Sequence, residues 1–204
     1  LDVNVGLPEI DEPRMMEEVV KELQSIIDLP LQIDTSDMAA MERAMRIYNG
    51  KPLINFDLSM YRKFAPRHGV DLAKARKRAP EVFRRPDTRR HGSYQAAQQA
   101  RLDAAIAIDE ESALESTFWG MFQIGGFNWK RCGAGSVREF VDRMSRSERD
   151  QLELFAAFIR NSGMVDAIRD KNWLAFALKY NGPKAKARRY HTRLAAAYRK
   201  HGGK

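Results

Sequence analysis

The fold of this chain is decided by the stretch Ala113-Leu-Glu-Ser-Thr-Phe-Trp-Gly-Met-Phe-Gln-Ile124. Glu115 stands four residues before Trp119 and eight before Gln123, and two glycines follow the stretch. A carboxyl group that is buried among aromatic rings can serve as a general acid, and a glutamine amide can bond a polar ligand. The same residues also fit a structural carboxylate bonded to backbone and a glutamine that caps the local chain. Both interpretations stay open at this point.

Helix signals surround this stretch on both sides. Capping boxes at Ser136–Glu139 and Ser145–Glu148 each place a serine three residues before a glutamate, the spacing that starts a helix. Gly163 then stands where a helix should end. No alternating strand pattern is convincing after residue 57, so the rest of the chain is predicted to be helical, with short irregular helices over residues 62–92. Helical spacing of apolar residues marks Tyr94–Ile108, Leu152–Ile159, Trp173–Tyr180 and Tyr190–Tyr198.

The first 55 residues show a different pattern, in which strands and helices alternate. The predicted strands are 1–5, 31–34 and 52–56, and the predicted helices are 13–28 and 36–48. This order is typical of a parallel α/β unit. The apolar faces of the two helices, around Val19 and Met41, need a cover. We expect the later helices to provide it, and a second copy of the chain is the alternative.

Charge is distributed unevenly between these two parts. The 204 residues contain 35 Lys and Arg against 27 Asp and Glu, a net charge of +8. Residues 1–55 carry eleven acids and five bases, which leaves 30 bases and 16 acids for the remainder. A swing of this size suggests two pieces of different origin, although a single fold with one acidic end would show it too. The basic part predicts an anionic partner.

Composition excludes several classes of protein. Apolar residues make up 44% and charged residues 30%, the profile of a soluble globular chain, and the apolar runs are too short to span a membrane. No signal peptide is visible at the start. Cys132 is alone, so no intramolecular disulfide or thiolate zinc cluster is expected. The four histidines lack ligand spacing and Gly125-Gly126 is not a phosphate loop, so no metal and no cofactor are predicted.

From about residue 52 onward, the chain resembles the N-acetylmuramidase domain of phage endolysins. The likeness rests on residues 113–124 and, in order, on Pro52–Asp57, Tyr61-Arg62, Gly92–Tyr94, Arg101-Leu102, Gly126–Asn128, Cys132-Gly133, Phe140-Val141, Gln151-Leu152, Phe155, Phe158-Ile159, Trp173, Phe176-Ala177, Tyr180–Pro183 and Leu194–Tyr198. The resemblance implies a mainly α fold. A lysozyme-like helical muramidase body would cover 56–204, behind an N-terminal strand-helix-strand-helix-strand segment over 1–55.

The N-terminal segment resembles a second family, the pterin-binding domain of methyltetrahydrofolate methyltransferases, which includes cobalamin-dependent methionine synthase. The matching residues are Leu1–Gly6, Leu31–Ser36 and Asn49–Asn55. That resemblance implies pterin contacts at Asp34 and Asn55. However, the parent fold is an eight-stranded barrel, and three strands cannot close it. The sequence therefore predicts a chimera, in which a barrel fragment is joined to a muramidase body near residue 55.

The muramidase resemblance also implies site residues. In that family the catalytic Glu lies on the first helix, shortly before the segment matching Pro52–Phe56, and Ser and Gly follow it. The nearest acid at that place is Glu42, which is followed by Arg43 and Arg46 instead, and a solvated pairing of Glu42 with Arg46 is the alternative. Glu115 is the other catalytic candidate. The candidate substrate-binding residues are Gln123, Tyr180, Asn181 and Trp119. For Tyr180 and Asn181 the alternative is that Tyr180–Pro183 simply ends a helix, and for a tryptophan the alternative is a place in the hydrophobic core.

The resulting prediction is a peptidoglycan hydrolase that cleaves the β-1,4 bond between N-acetylmuramic acid and N-acetylglucosamine. The altered acid helix is expected to impair it, and a chimera that binds cell-wall saccharide without catalysis is the alternative. We expect action at the bacterial cell wall after release from the cytoplasm. An anionic cell-wall or envelope polymer would bind the basic surface, whereas a nucleic-acid partner is not expected, because charge is its sole support. The N-terminal segment is also a candidate for joining copies of the chain into a homo-oligomer.

Overall fold

A computed structural model describes residues 2–26, 31–47 and 53–203, and these are mainly helical, as expected. The strands are β1 (Asp2–Val3), β2 (Gln32–Ile33), β3 (Ile54–Phe56), β4 (Thr117–Trp119) and β5 (Ile124–Gly125). The helices are α1 (Glu12–Ile26), α2 (Met38–Ile47), α3 (Leu58–Phe64), α4 (Leu72–Arg78), α5 (Thr88–His91), α6 (Tyr94–Ile106), α7 (Glu110–Glu115), α8 (Val137–Arg146), α9 (Glu148–Asn161), α10 (Val165–Arg169), α11 (Trp173–Asn181) and α12 (Tyr190–Lys200). In the described ranges no helix is long and apolar enough to cross a membrane.

The chain forms two compact units, residues 1–155 and residues 156–204. The first unit contains both sheets and the helices through α8, and the second contains α10 to α12. The division into 1–55 and 56–204 that the two resemblances imply stays a prediction. The turn expected at Asn49-Gly50 and the strand residue Pro52 lie outside the described residues.

The N-terminal part has a small hydrophobic core of its own. β1 and β2 pair in parallel, with Val3 opposite Ile33, as the alternating pattern indicated. The buried residues of this core are Val3, Met16, Val20, Leu31, Ala40 and Ala44. Val19 and Leu23 pack against the same cluster, so α1 and α2 cover each other's apolar faces. The sequence predicts the later helices as that cover, whereas in this cluster the two N-terminal helices cover each other.

The third predicted strand does not join this parallel pair, and that part of the sequence prediction was wrong. β3 belongs to a separate three-stranded antiparallel sheet of order β3-β4-β5, in which Ile54 lies opposite Trp119. Ile54 and Phe56 are buried and Asn55 between them is only partly buried, which is the alternation of a strand with one covered face. Expecting no strands after residue 57 was also wrong, because β4 and β5 are too short to show a period.

Short helices follow β3, as predicted for this proline-rich region. Asp57 caps α3 by accepting hydrogen bonds from the backbone amides of Ser59 and Met60. α3 then buries Tyr61, whose ring lies 5.4 Å from that of Phe56. The next segment, Ala65–His68, is a 3-10 turn that ends at Gly69 in the left-handed region, with φ of 80°. The effect of this turn is to place His68 at the surface of the first unit.

One of the two predicted capping boxes is confirmed, and the other is displaced. Ser136 accepts a hydrogen bond from the backbone amide of Glu139 at 3.0 Å and starts α8 as expected. Ser145 lies within α8, because α8 continues far enough to bury Met144. α9 begins instead after Ser147, whose hydroxyl accepts from the amide of Asp150.

The second unit is organised by aromatic contacts and glycine stops. Gly163, with φ of 64°, follows the end of α9 as predicted. The ring of Tyr180 on α11 lies 5.5 Å from Phe176 and 5.9 Å from Phe158. Trp173 contacts Tyr198 of α12 at 5.2 Å. These pairs attach α12 to α11 even though no residue of α12 is fully buried.

Cys132 gives a prediction that concerns pH. The residue is 1% exposed, and burial raises the pKa of its thiol to about 12, although Arg143 opposes this. Because the thiolate is the reactive form, we expect a disulfide reagent at pH 8 to react with native protein at least ~100-fold more slowly than with unfolded protein. The folded state keeps its proton above pH 9 whereas the unfolded state loses it. The free energy of unfolding should therefore fall by up to ~1.4 kcal/mol per pH unit as the pH rises from 9.

Cys132→Ala is the matched variant for this measurement. It should remove that part of the decline in denaturation curves recorded between pH 9 and pH 11. Rapid stoichiometric labelling of the native protein would contradict the burial of the thiol.

Candidate functional site

Glu115 ends α7, directly before β4, and its side chain is 15% exposed. One carboxylate oxygen, Oε2, lies 3.0 Å from Nε2 of His68. The other ring nitrogen, Nδ1, lies 3.6 Å from the carboxylate of Glu111. His68 therefore lies between two acids, and Glu115 has a histidine partner that the sequence did not reveal, since the two residues are far apart along the chain.

This contact bears on the catalytic role considered for Glu115. An imidazole placed between two carboxylates forms ion pairs with them when it is protonated. A general acid must instead carry a proton and present it to the leaving oxygen of the substrate. The geometry therefore suits a fixed carboxylate better than a proton donor.

Trp119 lies in the interior of the first unit. It is 5% exposed, and its Nε1 donates a hydrogen bond to the carbonyl oxygen of Leu114 at 3.1 Å. This bond ties β4 to the last turn of α7, and it leaves little of the ring for a saccharide to stack on. Trp119 thus takes a core position, which does not favour the saccharide contact predicted for it.

Gln123 lies at the surface, in the turn between β4 and β5. Its φ of 48° is in the left-handed region. The side-chain Nε2 donates to the carbonyl oxygens of Leu53 at 3.1 Å and Gly120 at 3.0 Å. The amide thus holds the turn against the start of β3. Its carbonyl oxygen accepts no hydrogen bond from the residues that the structure describes.

Glu42 lies on α2 and is exposed. Its helix neighbours Ala40 and Ala44 point into the small N-terminal core, so Glu42 faces away from that core. Arg43, the next residue, lies 3.6 Å from the carboxylate of Glu17. The side chain of Arg46, its alternative partner, lies outside the described residues.

Tyr180 and Asn181 belong to the second unit, at the end of α11. Asn181 is exposed and is the last helical residue before Gly182, whose φ is 81°. Tyr180 is partly buried against the two phenylalanines described above. Helix termination is therefore one observed role of this segment, and the saccharide contact remains a prediction.

A polar cluster between β3 and α6 was not recognised as a site from the sequence. Arg101 is 7% exposed, and its Nη1 donates to Oε1 of Gln98 at 3.1 Å. Nε2 of Gln98 donates in turn to Oδ1 of Asn55 and to the hydroxyl of Tyr94, both at 2.7 Å. Burial lowers the pKa of the Arg101 guanidinium, while Tyr94 and Asp57 oppose this. Positions 94, 98 and 101 share one helix face, and that spacing could have revealed the cluster.

A mainly helical body with a small antiparallel sheet is the architecture of a lysozyme-like endolysin fold. The family model described as Muramidase: N-acetylmuramidase matches residues 36–202, and the chain belongs to this family. It is a glycoside hydrolase of the muramidase type. Among solved structures, the endolysin of Burkholderia phage AP3 is similar, with 30% identity and a TM-score of 0.60 over 93% of this chain and 68% of that chain. A search of curated protein sequences found no match.

Proposed function

We propose that this protein cleaves the β-1,4 bond between N-acetylmuramic acid and N-acetylglucosamine. The observation that carries the proposal is the extent of the family match, which begins at residue 36. It therefore includes α2 with Glu42, the α7–β4 junction with Glu115 and the turn with Gln123. Both candidate acids and the candidate cleft amide lie within the matched range.

The two acids are proposed to have different roles. Glu42 occupies the place along the chain where the family resemblance puts the acid, before β3. Glu42 is exposed on α2, whereas the carboxylate of Glu115 lies against His68 at 3.0 Å. Glu115 is proposed as a fixed negative charge at the end of α7. Gln123, Tyr180 and Asn181 are proposed saccharide contacts, and Trp119 supports the strand beneath the site.

Activity is expected to be weak. A general acid works at neutral pH when an apolar cleft keeps it protonated, and an exposed carboxyl group on α2 has no such cleft around it. Arg43 also follows Glu42 directly and adds positive charge to the same turn. These two observations favour a second candidate function, in which the chain binds cell-wall saccharide without cleaving it.

Purified peptidoglycan distinguishes these functions. We expect a slow fall in turbidity together with new reducing ends at N-acetylmuramic acid, identified by mass spectrometry. Reducing ends only at N-acetylglucosamine would contradict the proposed bond specificity. Sedimentation with peptidoglycan and no new reducing ends from a folded protein would replace hydrolysis by binding.

The C-terminal segment is proposed to hold an anionic wall or envelope polymer. Residues 171–204 contain ten Lys and Arg and no Asp or Glu. The positive charge of this segment therefore exceeds the net charge of the whole chain, which is +8. Such a surface attracts polyanions over several ångström, and the attraction weakens with salt. In the same sedimentation assay, binding that did not change with salt would count against this partner. Equal binding to DNA would show that charge alone is recognised.

The N-terminal segment remains proposed as a fragment of a pterin-binding barrel, and the chain as a chimera. The parallel pairing of β1 with β2 and the helix α1 between them support an α/β origin, whereas α2 lies within the muramidase match. Asp34, a pterin contact in the resemblance, accepts a hydrogen bond from Asn4 at 3.1 Å. A homo-oligomer through this segment is the remaining proposal, and a monomer mass by light scattering would contradict it.

A further inference from the structure

A shallow groove of about 300 Å³ runs along one end of β3. Its walls come from the end of β3, from α6 and from the segment that joins α4 to α5. Besides Gln98, the polar residues that line it are Asn55, Asp57, Arg84, Arg85, Tyr94 and Arg101. Arg84 and Arg85 are exposed at the rim, whereas Arg101 lies at the base.

The hydrogen bonds beneath the groove have a fixed direction. A guanidinium can only donate, so the oxygen of the Gln98 amide must face Arg101 and its nitrogen must face Asn55. The oxygen of Asn55 is consequently the acceptor, and its Nδ2 is left as a donor. Among the described residues nothing accepts from that Nδ2. The hydroxyl of Tyr94 accepts from Gln98 and donates to the same oxygen of Asn55 at 3.5 Å, so the free donor of this cluster is Nδ2 of Asn55.

The charge of the groove also favours a ligand that accepts hydrogen bonds. Arg101 has no ion pair with the described residues, and its Nε is buried without a hydrogen-bond partner. Asp57 is the acid that lines the groove, and one of its oxygens already caps α3. Three guanidiniums thus face one carboxylate. A groove that offers donors and net positive charge is suited to a ligand whose oxygens accept and carry negative charge.

The position of the groove suggests where this ligand comes from. Gln123, the candidate cleft amide, is bonded to the carbonyl of Leu53 at the start of β3, and Asn55 follows two residues later. A strand advances about 3.3 Å per residue, so the two points are roughly 7 Å apart along β3. That is the scale of one sugar ring, and a glycan strand bound at Gln123 would carry its substituents into the groove.

We propose that this groove binds a carboxylate of the peptidoglycan strand, through Arg84, Arg85 and the Asn55 amide. This inference rests on the proposed function, because it assumes that the glycan lies along β3. The carboxylate has two sources. In intact peptidoglycan it belongs to the stem peptide, and in glycan freed of peptide it belongs to the lactyl group of muramic acid.

Three variants of the full chain test the groove. Arg84→Ala/Arg85→Ala removes the rim charges. Asn55→Asp keeps the oxygen that accepts from Gln98 and replaces the free donor with an acceptor. Arg89→Ala/Arg90→Ala is the matched control, because these arginines are equally exposed and close in sequence but do not line the groove. Melting curves establish that each variant is folded.

Binding is measured on ice by sedimentation with insoluble peptidoglycan, either untreated or with its carboxyl groups converted to methylamides. We expect both groove variants to bind untreated peptidoglycan about tenfold more weakly than the wild type and the control pair. Methylamidation should weaken the wild type by the same factor and leave the groove variants unchanged. Equal binding of wild type to both substrates, or a control pair as weak as the rim pair, would overturn the inference.

Competition with soluble, peptide-free glycan identifies the source of the carboxylate. If the soluble glycan displaces the wild type better than it displaces the groove variants, the groove recognises the lactyl carboxylate. If it displaces the wild type and the groove variants equally, the groove recognises the carboxylate of the stem peptide. Hydrolysis is scored separately on the same samples at 37 °C. Carboxylate-dependent binding without cleavage would overturn the proposed function and leave this inference standing. Cleavage by a protein whose binding does not change on methylamidation would overturn this inference and leave the proposed function standing.

Discussion

Glu42→Gln is expected to lower the rate of peptidoglycan cleavage at least ~100-fold, because removal of a general acid typically costs that factor or more. Glu42 is exposed on α2 and faces away from the N-terminal core, so the substitution should leave the melting temperature unchanged. The measurement is the rate of appearance of reducing ends. Glu18→Gln is the matched control, since Glu18 is also exposed, on α1, and pairs with Arg14 at 3.0 Å.

Glu115→Gln provides the contrast. The glutamine keeps an oxygen that can accept from His68, so the geometry of the α7–β4 junction should survive and activity should fall less than ~10-fold. If Glu115→Gln abolished cleavage while Glu42→Gln did not, the two proposed roles would be exchanged. If neither variant changed a measurable rate, neither residue would be the acid.

Gly126→Ala is expected to have the largest effect on stability. A methyl group at this position would overlap the carbonyl oxygen of Leu114 and lie 2.9 Å from its carbonyl carbon and 3.0 Å from Cα of Glu115. These are backbone atoms at the end of α7, which cannot rotate away as a side chain could. We expect a loss of about 3 kcal/mol, or roughly 10 °C in melting temperature. Cleavage should suffer as well, because the same overlap displaces Glu115.

Gly69→Ala is the comparison for Gly126→Ala, because it introduces backbone strain without a steric overlap. Gly69 has φ of 80°, but no atom lies within 4 Å of its added methyl group, so the expected cost is only the left-handed conformation, about 1 kcal/mol. Chemical denaturation of both variants provides the comparison. Equal losses would mean that the close approach of Gly126 to α7 is not rigid.

Local signals predicted the helices well and the sheets poorly. Ser136 and Gly163 act within a few residues of their own position, so the sequence alone was sufficient to place them. β4 and β5 are three and two residues long and exist because they pair with β3, which is distant in sequence. For the same reason, β3 was predicted to join the wrong sheet. Its alternation is that of a strand, but nothing local shows which strand it joins.

The candidate site divides in the same way. The acid, the aromatic residue and the glutamine of residues 113–124 were visible in sequence, yet the core position of Trp119 depends on its bond to Leu114. The contact of His68 with Glu115 joins residues from different elements and left no trace in the spacing. The face formed by Tyr94, Gln98 and Arg101 was present in the sequence. The cluster that this face forms could not be predicted in full, because it includes Asn55 on β3.

The pairing of β3 with β4 also constrains the order of events during folding. Residues 54–56 meet residues 117–119, so this sheet can form only after the chain between them has been drawn together, which costs loop entropy before any strand contact compensates. Helices such as α11 and α12 meet across a short connection and do not face this delay. During refolding, the helices of residues 156–204 should therefore become protected from solvent exchange before β3 does, and the groove at the end of that strand should be among the last features to form.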